Sequence, residues 1–396
     1  ATGVLVGMEI PLVMRVLHAK KTAFAELVSR VLSFDSLGAL AVSLLFPLVL
    51  APYLGLARSA LLFGLLNVGV ACLTLWVCRG ELQHPNRKMT RAISVLIILI
   101  FAAVYANQLT RWSEQRYYGD PIIGSITSPY QHLVITRWQD DLRLHINGNL
   151  QFSSRDEHRY HEALVHPVLS QLPHAKSVLI LGGGDGLAAR EVLKYPHIQH
   201  ITLVDLDPAM TNLFSHNPFL TRLNQGSLTH PKMRVINQDA AQWLKSHRQV
   251  FDAIIVDFPD PSNFSIGKLY SVPMYNMMKA HLSPTGLMVV QSTSPYHAPK
   301  SFWSINATLQ TAGFYTTPYH TLVPSFGEWG FIVASPWQGY TPPQQFTVPL
   351  RYLDAQTTAL MFNFPKDMPP YPSKANHLNT QQLVQYFEED WRNVIR

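Results

Sequence analysis

The stretch SVLILGGGDGLAAREVLK, residues 177–194, decides the fold. It predicts a short buried strand over residues 177–181, a tight glycine-rich turn over 182–186 and a helix over 187–194. The glycines let the backbone approach a ligand closely. The next predicted strand ends in Asp205-Leu206-Asp207, and an acidic side chain at that place can hydrogen-bond a ribose diol. The pattern is typical of a nucleotide-binding α/β domain.

Strands and helices alternate downstream of this turn. Further strands are predicted around residues 235–240, 251–256, 286–292 and 331–334, with helices at 269–281 and 299–312. This alternation predicts the α/β class with a doubly wound, mostly parallel, Rossmann-like (methyltransferase-like) sheet. Its ligand should lie at the carboxyl ends of the strands. Acidic residues stand at those ends, namely Asp205, Asp239, Asp257 and Asp260.

Smaller segments flank this domain on both sides. A small antiparallel β unit is predicted at residues 129–152, where two alternating segments surround a turn at Asn147-Gly148-Asn149, and a helix follows at 156–172. Residues 336–374 contain eight prolines and predict an extended connector, before a terminal helix at 378–396. The predicted domains are a β subdomain (118–155), a Rossmann-like catalytic domain (156–340), and a connector with a C-terminal helix (341–396).

The N-terminal third differs in composition from the rest. Residues 1–118 hold eleven Lys/Arg and five Asp/Glu, whereas residues 119–396 hold twenty of each, so the net charge of +6 belongs to the N-terminal part. The balanced charge of the larger part gives no support to nucleic-acid binding. The two cysteines, Cys72 and Cys78, exclude a disulfide framework and a Cys-rich zinc site.

Three stretches without any charged residue, 37–56, 59–78 and 92–109, predict membrane-spanning helices. A helix of about 20 apolar residues crosses a hydrocarbon core of about 30 Å. A buried bundle of soluble helices is the alternative. Residues 4–17 predict the end of another apolar helix, interrupted by Glu9 and Arg15, so we expect a partial span at 1–17 and further spans upstream. The predicted membrane region is therefore residues 1–117.

The acidic residues of the larger part favour a cationic ligand. Asp185 lies inside the glycine-rich turn, where a carboxylate would repel the pyrophosphate of a dinucleotide. Asp257 and Asp260 add two more carboxylates at a strand end. A polyamine or a sulfonium compound fits such a site.

Residues 118–396 resemble the spermidine/spermine synthase family, the polyamine aminopropyltransferases, and most closely its bacterial branch with a multi-pass N-terminal membrane domain. The resemblance rests on motifs that occur in order along the chain: Pro129-Tyr130-Gln131, Asn147-Gly148-Asn149-Leu150-Gln151, Asp156-Glu157-His158-Arg159-Tyr160-His161-Glu162, Gly182-Gly183-Gly184-Asp185-Gly186, Asp205-Leu206-Asp207, Asp239-Ala240, Asp257-Phe258-Pro259-Asp260 and Gly327-Glu328-Trp329-Gly330-Phe331.

The resemblance implies transfer of an aminopropyl group from decarboxylated S-adenosylmethionine to putrescine or a related amine, giving spermidine or an analogue and methylthioadenosine. Carried over, the residues that bind the donor are Gln131, Gly182, Gly184, Asp185, Asp205 (ribose), Asp239 (adenine amine) and Ala240. The residues of the acceptor cleft are Gln151, Tyr160, His161 and Asp260. Asp257 is implied as the base on the attacking amine, with Tyr160 orienting it.

Elementary chemistry supports these roles. An alkylammonium is not a nucleophile, so one proton must leave, and a carboxylate within hydrogen-bond reach can take it. Asp185 would also repel the carboxylate of ordinary S-adenosylmethionine. Departures from the family pattern are Asn147 and Asp205, in place of the commoner Asp and Glu, and Phe258-Pro259 between the two aspartates, which leaves the identity of the acceptor open.

The resemblance also implies partners and a location. We expect no metal and no cofactor, although His158, His161, Glu162 and His166 occur at helical spacing. Polyamine substrates, the lipid bilayer and a second copy in a homodimer are the expected partners, with a multi-pass location in the bacterial inner membrane.

The side of the membrane stays open at this point. Basic loops around residues 15–30 and 79–91 share one side, which places the catalytic part outside the cytoplasm by the positive-inside rule. Synthesis of the donor in the cytoplasm favours the opposite orientation, which we adopt.

Two other classes of function stay open as well. A methyltransferase using S-adenosylmethionine has the same fold, and a membrane sensor or transporter could use such a domain only to bind polyamines.

Overall fold

The computed structural model describes residues 24–80 and 84–394, which form two compact units divided after Gly119. The predicted partial span at residues 1–17 and Glu9 lie outside the described residues. Each unit is built from its own elements, helices in the first and two sheets with helices in the second.

The first unit is helical. Its elements are α1 (Phe24–Leu45), a π-helical segment (Phe46–Leu54), α2 (Gly55–Val77), α3 (Pro85–Val104) and α4 (Ala106–Tyr118). Pro47 lies in the π-helical segment and lacks the backbone N–H that an α-helical hydrogen bond needs. The regular hydrogen-bond pattern of the α-helix therefore changes there. The predicted span at 37–56 therefore extends over three elements.

Two helical stretches of this unit are long and apolar enough to cross a membrane, Val28–Leu50 and Arg58–Val77. The predicted third span, 92–109, crosses a helix boundary, because α3 ends at Val104 and α4 starts at Ala106. Large apolar side chains along the two stretches are exposed, among them Leu48 and Val70.

The second unit begins with a four-stranded antiparallel sheet of strand order β1-β2-β3-β4. Its strands are β1 (Ile122–Thr127), β2 (His132–Trp138), β3 (Asp141–Ile146) and β4 (Asn149–Ser153). The predicted turn at Asn147-Gly148 joins β3 to β4, with positive φ angles of 51° and 88°. The prediction missed β1, a short edge strand with Gly124 and Ser125 at its centre and an irregular register.

A seven-stranded sheet follows, of order β10-β11-β9-β8-β5-β6-β7. Its strands are β5 (Ser177–Gly182), β6 (His200–Asp205), β7 (Met233–Asn237), β8 (Phe251–Asp257), β9 (Leu282–Gln291), β10 (Tyr315–Val323) and β11 (Gly327–Ser335). Strands β5 to β9 are parallel, and β10 and β11 are antiparallel. The predicted α/β class with a mostly parallel sheet is confirmed.

The helices around this sheet, within the described residues, are α5 (Glu157–Leu169), α6 (Leu187–Leu193), α7 (Pro208–His216), α8 (Pro218–Leu223), α9 (Ala240–Ser246), α10 (Phe264–Gly267), α11 (Val272–Ala280), α12 (Pro299–Thr311), α13 (Ala355–Met361) and α14 (Gln382–Val394). Short 3-10 turns occupy Ser227–Thr229 and Lys268–Tyr270. Helices cover both faces of the sheet. Along β5, Val178 and Ile180 face one apolar core, and Leu179 and Leu181 face the other.

Two differences from the sequence prediction concern the C-terminal part. Strand β10 was missed, because Pro318 interrupts an otherwise strand-like run and is tolerated there at the sheet edge. The predicted extended connector contains α13. Just before α13, the buried Glu162 carboxylate accepts hydrogen bonds from the backbone N–H groups of residues 351–353, at 2.7 to 3.1 Å, and so fixes this segment to α5.

Candidate active site

A cleft of about 620 Å³ opens at the carboxyl ends of the parallel strands. It lies where the strand order reverses around β5, the position at which open α/β sheets bind ligands. Nine of the predicted site residues line it: Gln131, Gln151, Gly182, Gly184, Asp185, Asp205, Asp239, Ala240 and Asp257. Tyr160, His161 and Asp260 are not part of its lining and are described below.

The glycine-rich turn brings two strand ends together. Gly182 has a φ of +82°, and a Cβ added there would collide with the carbonyl oxygen of Asp257. A Cβ on Gly184 would lie 2.7 Å from the Asp205 carboxylate. A side chain at either position would clash with these groups, so glycine is required at both. The turn holds Asp185, Asp205 and Asp257 around one space.

Asp205 shapes the turn and also faces the cleft. Its carboxylate accepts hydrogen bonds from the backbone N–H of Gly184 (3.1 Å) and of Asp207 (2.9 Å). Burial raises the pKa of Asp205 to about 6, although these two hydrogen bonds oppose the shift. The carboxylate stands at the end of β6, where the sequence predicted a ribose-binding group.

Asp207 connects the two sheets of the second unit. One of its carboxylate oxygens caps α7 by accepting from the Ala209 N–H, and the other accepts from the Ser128 hydroxyl at 2.7 Å. The Ser128 hydroxyl oxygen in turn accepts from the N–H groups of Tyr130 and Gln131. This arrangement positions Gln131 at the rim of the cleft, and the sequence did not predict it.

Asp239 lies at the start of α9, on the far side of Asp205. It caps that helix by accepting from the Gln242 N–H at 3.0 Å. Its second oxygen lies 3.5 Å from the Lys268 ammonium, which also lines the cleft. This cation was not predicted. Its partner is Asp239, the residue predicted to bind the adenine amine.

Asp257 and Tyr160 form a close pair. The Tyr160 hydroxyl donates to Asp257 Oδ1 at 2.6 Å, and both side chains are buried. Burial and the neighbouring Asp185 carboxylate together raise the pKa of Asp257 to about 6, and His161 and the Tyr160 hydroxyl oppose the shift. Burial and the Asp257 carboxylate raise the pKa of Tyr160 well above its usual value, so Tyr160 stays a hydrogen-bond donor.

Asp185 projects from the glycine-rich turn toward the buried Asp257 and Tyr160. It is buried, and its Oδ1 accepts from the Leu187 N–H at 2.9 Å. Burial raises its pKa, while the charge of His161 acts in the opposite sense. His161 is buried next to the Tyr160 ring and hydrogen-bonds Glu157 at 2.8 Å.

Asp260 lies beyond Asp257 on the same strand end. Its carboxylate has two long hydrogen bonds of 3.4 Å, from the Gln291 amide and the Thr293 hydroxyl. Burial raises the pKa of Asp260 to about 7. Both contacts are long for hydrogen bonds, so they stabilise the charge of this carboxylate only weakly.

Gln291 is a site residue that the sequence analysis missed. Its amide nitrogen donates to the Phe258 carbonyl (2.5 Å) and lies 2.8 Å from the Tyr270 hydroxyl, and its oxygen accepts from Trp329 Nε1 at 3.2 Å. It stands at the carboxyl end of β9. The rule that places ligands at strand ends could have found it, had it been applied to amides as well as to acids.

The histidines at helical spacing have other partners. His166 contacts Tyr195 and Glu191, each at 2.8 Å, and Glu162 holds the backbone near residue 352. Within residues 24–80 and 84–394, no group of three or more His, Cys, Asp or Glu side chains is arranged to hold a metal ion.

Comparisons with known proteins agree with this arrangement. Residues 157–341 match the spermine/spermidine synthase domain. The solved structure of a spermidine synthase with the transition-state analogue AdoDATO superposes with a TM-score of 0.57 and 24% identity, over 62% of this chain and 86% of that one. The spermidine synthase of Thermotoga maritima gives a TM-score of 0.56 at 23% identity, over 62% and 85%. These two structures share the fold.

Closer relatives extend over the whole chain. Polyamine aminopropyltransferase 2 of Ralstonia nicotianae is 59% identical over 100% of this chain and 78% of its own length. The polyamine aminopropyltransferase of Leptospira interrogans is 48% identical over 99% of this chain and 78% of its own. With this identity along its full length and a synthase domain around the acidic cleft, the chain is an enzyme and belongs to the spermidine/spermine synthase family of polyamine aminopropyltransferases.

Proposed function

We propose that the enzyme transfers the aminopropyl group of decarboxylated S-adenosylmethionine to putrescine or a related diamine. The acceptor nitrogen attacks the methylene carbon next to the sulfonium sulfur. A C–N bond forms and the C–S bond breaks, its electron pair returning to sulfur, so that methylthioadenosine leaves as a neutral thioether. The observation that carries the proposal is the buried Asp257 carboxylate, 2.6 Å from the Tyr160 hydroxyl, in one cleft with Asp185 and Asp205.

Asp257 acts in this proposal as the general base. It accepts the proton that the acceptor amine must lose, and Tyr160 holds the other side of the carboxylate in place. A base with a pKa of about 6 is ionised at neutral pH and still basic enough to take part in proton transfer. Holding the two substrates in line lowers the remaining barrier.

The other acidic groups divide the cleft between donor and acceptor. Asp205 binds the ribose, and Asp239 with Ala240 and Gln131 binds the adenine end. Asp185 pairs with the aminopropyl ammonium of the donor. That pairing also rejects ordinary S-adenosylmethionine, whose carboxylate would meet the buried Asp185.

The acceptor is proposed to extend from Asp257 toward Asp260. Asp260 anchors its distal ammonium, and Gln151 and His161 complete the acceptor region with Tyr160. Phe258, which is buried and lines the cleft between the two aspartates, limits the space for the acceptor chain.

A substrate panel tests the reaction. Purified full-length enzyme is incubated with labelled decarboxylated S-adenosylmethionine and each of several diamines, and in parallel with methyl-labelled S-adenosylmethionine. We expect aminopropyl transfer with at least one diamine. Methyl transfer without aminopropyl transfer identifies a methyltransferase, and donor binding without turnover identifies a sensor.

The base is tested by Asp257→Asn, which should lower kcat by about 10²–10⁴-fold with donor affinity nearly kept. Asp252→Asn is the matched control on the same strand, because the Asp252 carboxylate binds the backbone of Lys176 and Ser177 away from the cleft. Full activity of Asp257→Asn would reject the proposed base.

The reaction as proposed needs no metal and no cofactor, because the sulfonium supplies its own leaving group. Activity should therefore persist after treatment with a chelator. The homodimer expected from the family resemblance is tested by light scattering of the detergent-solubilised enzyme.

We further propose that the first unit anchors the enzyme in the bacterial inner membrane. The support is the pair of long apolar stretches, Val28–Leu50 and Arg58–Val77, along which large apolar side chains such as Leu48 and Val70 are exposed. Carbonate extraction of cell membranes should leave the enzyme in the pellet, and release into the supernatant would contradict anchoring. Protease access to the catalytic unit in inverted but not in right-side-out vesicles would support the cytoplasmic orientation.

A further inference from the structure

Three buried charged side chains, Arg190, Glu157 and His161, form a hydrogen-bonded series that leads from α6 to the edge of the cleft. The Arg190 guanidinium donates two hydrogen bonds to Glu157, from its two terminal nitrogens to the two carboxylate oxygens, at 2.8 and 2.9 Å. Glu157 Oε2 lies 2.8 Å from Nδ1 of His161, one turn further along α5. All three side chains are at most 7% exposed. A carboxylate clamped in this way has a single orientation.

These buried charges determine which nitrogen of His161 carries a proton. Nδ1 faces two acceptors, the Glu157 carboxylate and the Glu157 backbone carbonyl, each at 2.8 Å. Nδ1 must therefore be the protonated nitrogen in the neutral ring. Burial raises the pKa of Glu157, but His161 and Arg190 outweigh burial and lower it to about 2, so Glu157 is ionised throughout the working range.

His161 in turn acts on the acids of the cleft. Its charge opposes the burial effects that raise the pKa of Asp185 and of Asp257. Burial lowers the pKa of His161 itself, but the hydrogen bond and the charge of Glu157 outweigh burial, so that it is raised. The side chain is 4% exposed, and its ring packs edge-on against Tyr160, the residue that holds Asp257.

We propose that Glu157, clamped by Arg190, is a positioning residue for aminopropyl transfer: it orients His161 and keeps it positively charged in the free enzyme, so that Asp257 stays ionised as the base. The proposal rests on the proposed function of Asp257. Glu157 is not in the cleft lining and acts through His161.

The ionisable groups around His161 and Asp257 come from four places: Glu157 and Tyr160 on α5, Arg190 and Glu191 on α6, Asp185 in the glycine-rich turn and Asp257 at the end of β8. The charges of His161 and Arg190 lower the pKa of Asp185, and the pKa of Asp257 is lowered by the charge of His161. Loss of that charge should raise the pKa of Asp257.

The variant Glu157→Gln tests the proposal, because it keeps the shape of the side chain and removes its charge. In the full-length enzyme we expect kcat/KM at pH 7 to fall about tenfold, the lower end of the range found when a carboxylate that orients a metal-bound histidine is lost. We also expect the acid limb of the pH profile of kcat/KM, which reports ionisations of the free enzyme, to move to higher pH.

Glu162→Gln is the matched control. Glu162 is a buried carboxylate on the same helix, but it binds the backbone of residues 351–353. It should change thermal stability without moving the acid limb. This separates a loss of packing from a loss of positioning.

A second variant keeps the test decisive if Glu157→Gln does not fold. Arg190→Lys retains the positive charge but cannot donate two parallel hydrogen bonds to Glu157, so its acid limb should move in the same direction by a smaller amount. An acid limb identical to that of the unmodified enzyme, in whichever variant folds, would overturn the proposal. Absence of aminopropyl transfer by the unmodified enzyme would instead reject the proposed function.

Discussion

The contact between the Tyr160 hydroxyl and Asp257 is the shortest link between α5 and the reacting end of β8. It stabilises the ionised carboxylate in surroundings that otherwise favour the protonated form. A hydrogen bond to a charged group contributes about 1.5–3 kcal/mol. Since Asp257 is the proposed base, we expect the effect of losing this hydrogen bond to appear in the chemical step.

We therefore expect Tyr160→Phe to lower kcat about 10- to 100-fold and to move the acid limb of the pH profile to higher pH, because the hydrogen bond that lowers the pKa of Asp257 is lost. Steady-state kinetics from pH 5 to 9 measures both effects. Tyr275→Phe is the matched control, because the Tyr275 hydroxyl is buried without a hydrogen-bond partner in the described chain. Equal losses in the two variants would contradict the prediction.

Asp260 should make the enzyme less stable at neutral pH than in mild acid. Its pKa is about 7 in the folded protein and about 4 in an unfolded chain, so the folded state holds the extra proton between these values. Stability contributed by this group is present below pH 4 and is lost as the pH rises to 7.

Asp260→Asn removes this effect. We expect its Tm to exceed that of the unmodified enzyme at pH 8 and the difference to vanish near pH 4, while the KM for the diamine rises. Differential scanning calorimetry at both pH values measures the stability effect. A difference in Tm that is the same at both would show that charge is not the cause.

The residues that hold the site in place could not be predicted from the sequence. Asp185, Asp205, Asp239 and Asp257 stand next to predicted strand ends, and parallel strands bring their carboxyl ends to one edge. The residues that hold the site in place bind partners that are far away in the sequence. Ser128 lies 79 positions from Asp207, and Arg190 lies 33 positions from Glu157. Only the folded chain shows which side chains meet.

The glycine-rich turn between β5 and α6 is the element that assembles the acids. Its geometry depends on the absence of a Cβ at Gly184, which packs against the Asp205 carboxylate. Elements with continuous buried runs, such as β5 and β8, were predictable because burial on both faces leaves an uninterrupted apolar segment. The edge strands β1 and β10 were not, since Gly124 and Pro318 weaken their pattern.

Gly184→Ala should weaken donor binding at least about tenfold, because the Asp205 carboxylate must move away from its backbone donors. Isothermal titration with decarboxylated S-adenosylmethionine measures the affinity. Gly69→Ala is the control, since a Cβ added at Gly69 meets nothing within 4 Å. Unchanged affinity in Gly184→Ala would contradict the role given to this turn.

The division of the chain after Gly119 separates two kinds of architecture. The two apolar cores that sandwich the large sheet are built from residues of the second unit alone, Leu133 being the first of them along the chain. The sequence showed the same division through composition, because charge-free stretches end before the strands begin.

The second unit should therefore fold without the first. A chain of residues 120–396 is expected to show one cooperative thermal transition and to bind the donor with the affinity of the full-length enzyme. Circular dichroism and titration measure the two properties. Aggregation without a transition would show that the first unit is needed for folding.

Because Asp185, Asp205 and Asp257 lie close together around one space, we expect substrate binding to be coupled to proton release. Burial raises the pKa of all three carboxyls, to about 6 for Asp205 and Asp257, so these two are partly protonated near pH 6 in the enzyme without substrate. Entry of a sulfonium or a diamine favours the ionised forms, so hydrogen ions are expelled into the medium. The heat of association should then depend on the ionisation enthalpy of the buffer at pH 6 and become independent of it at pH 9.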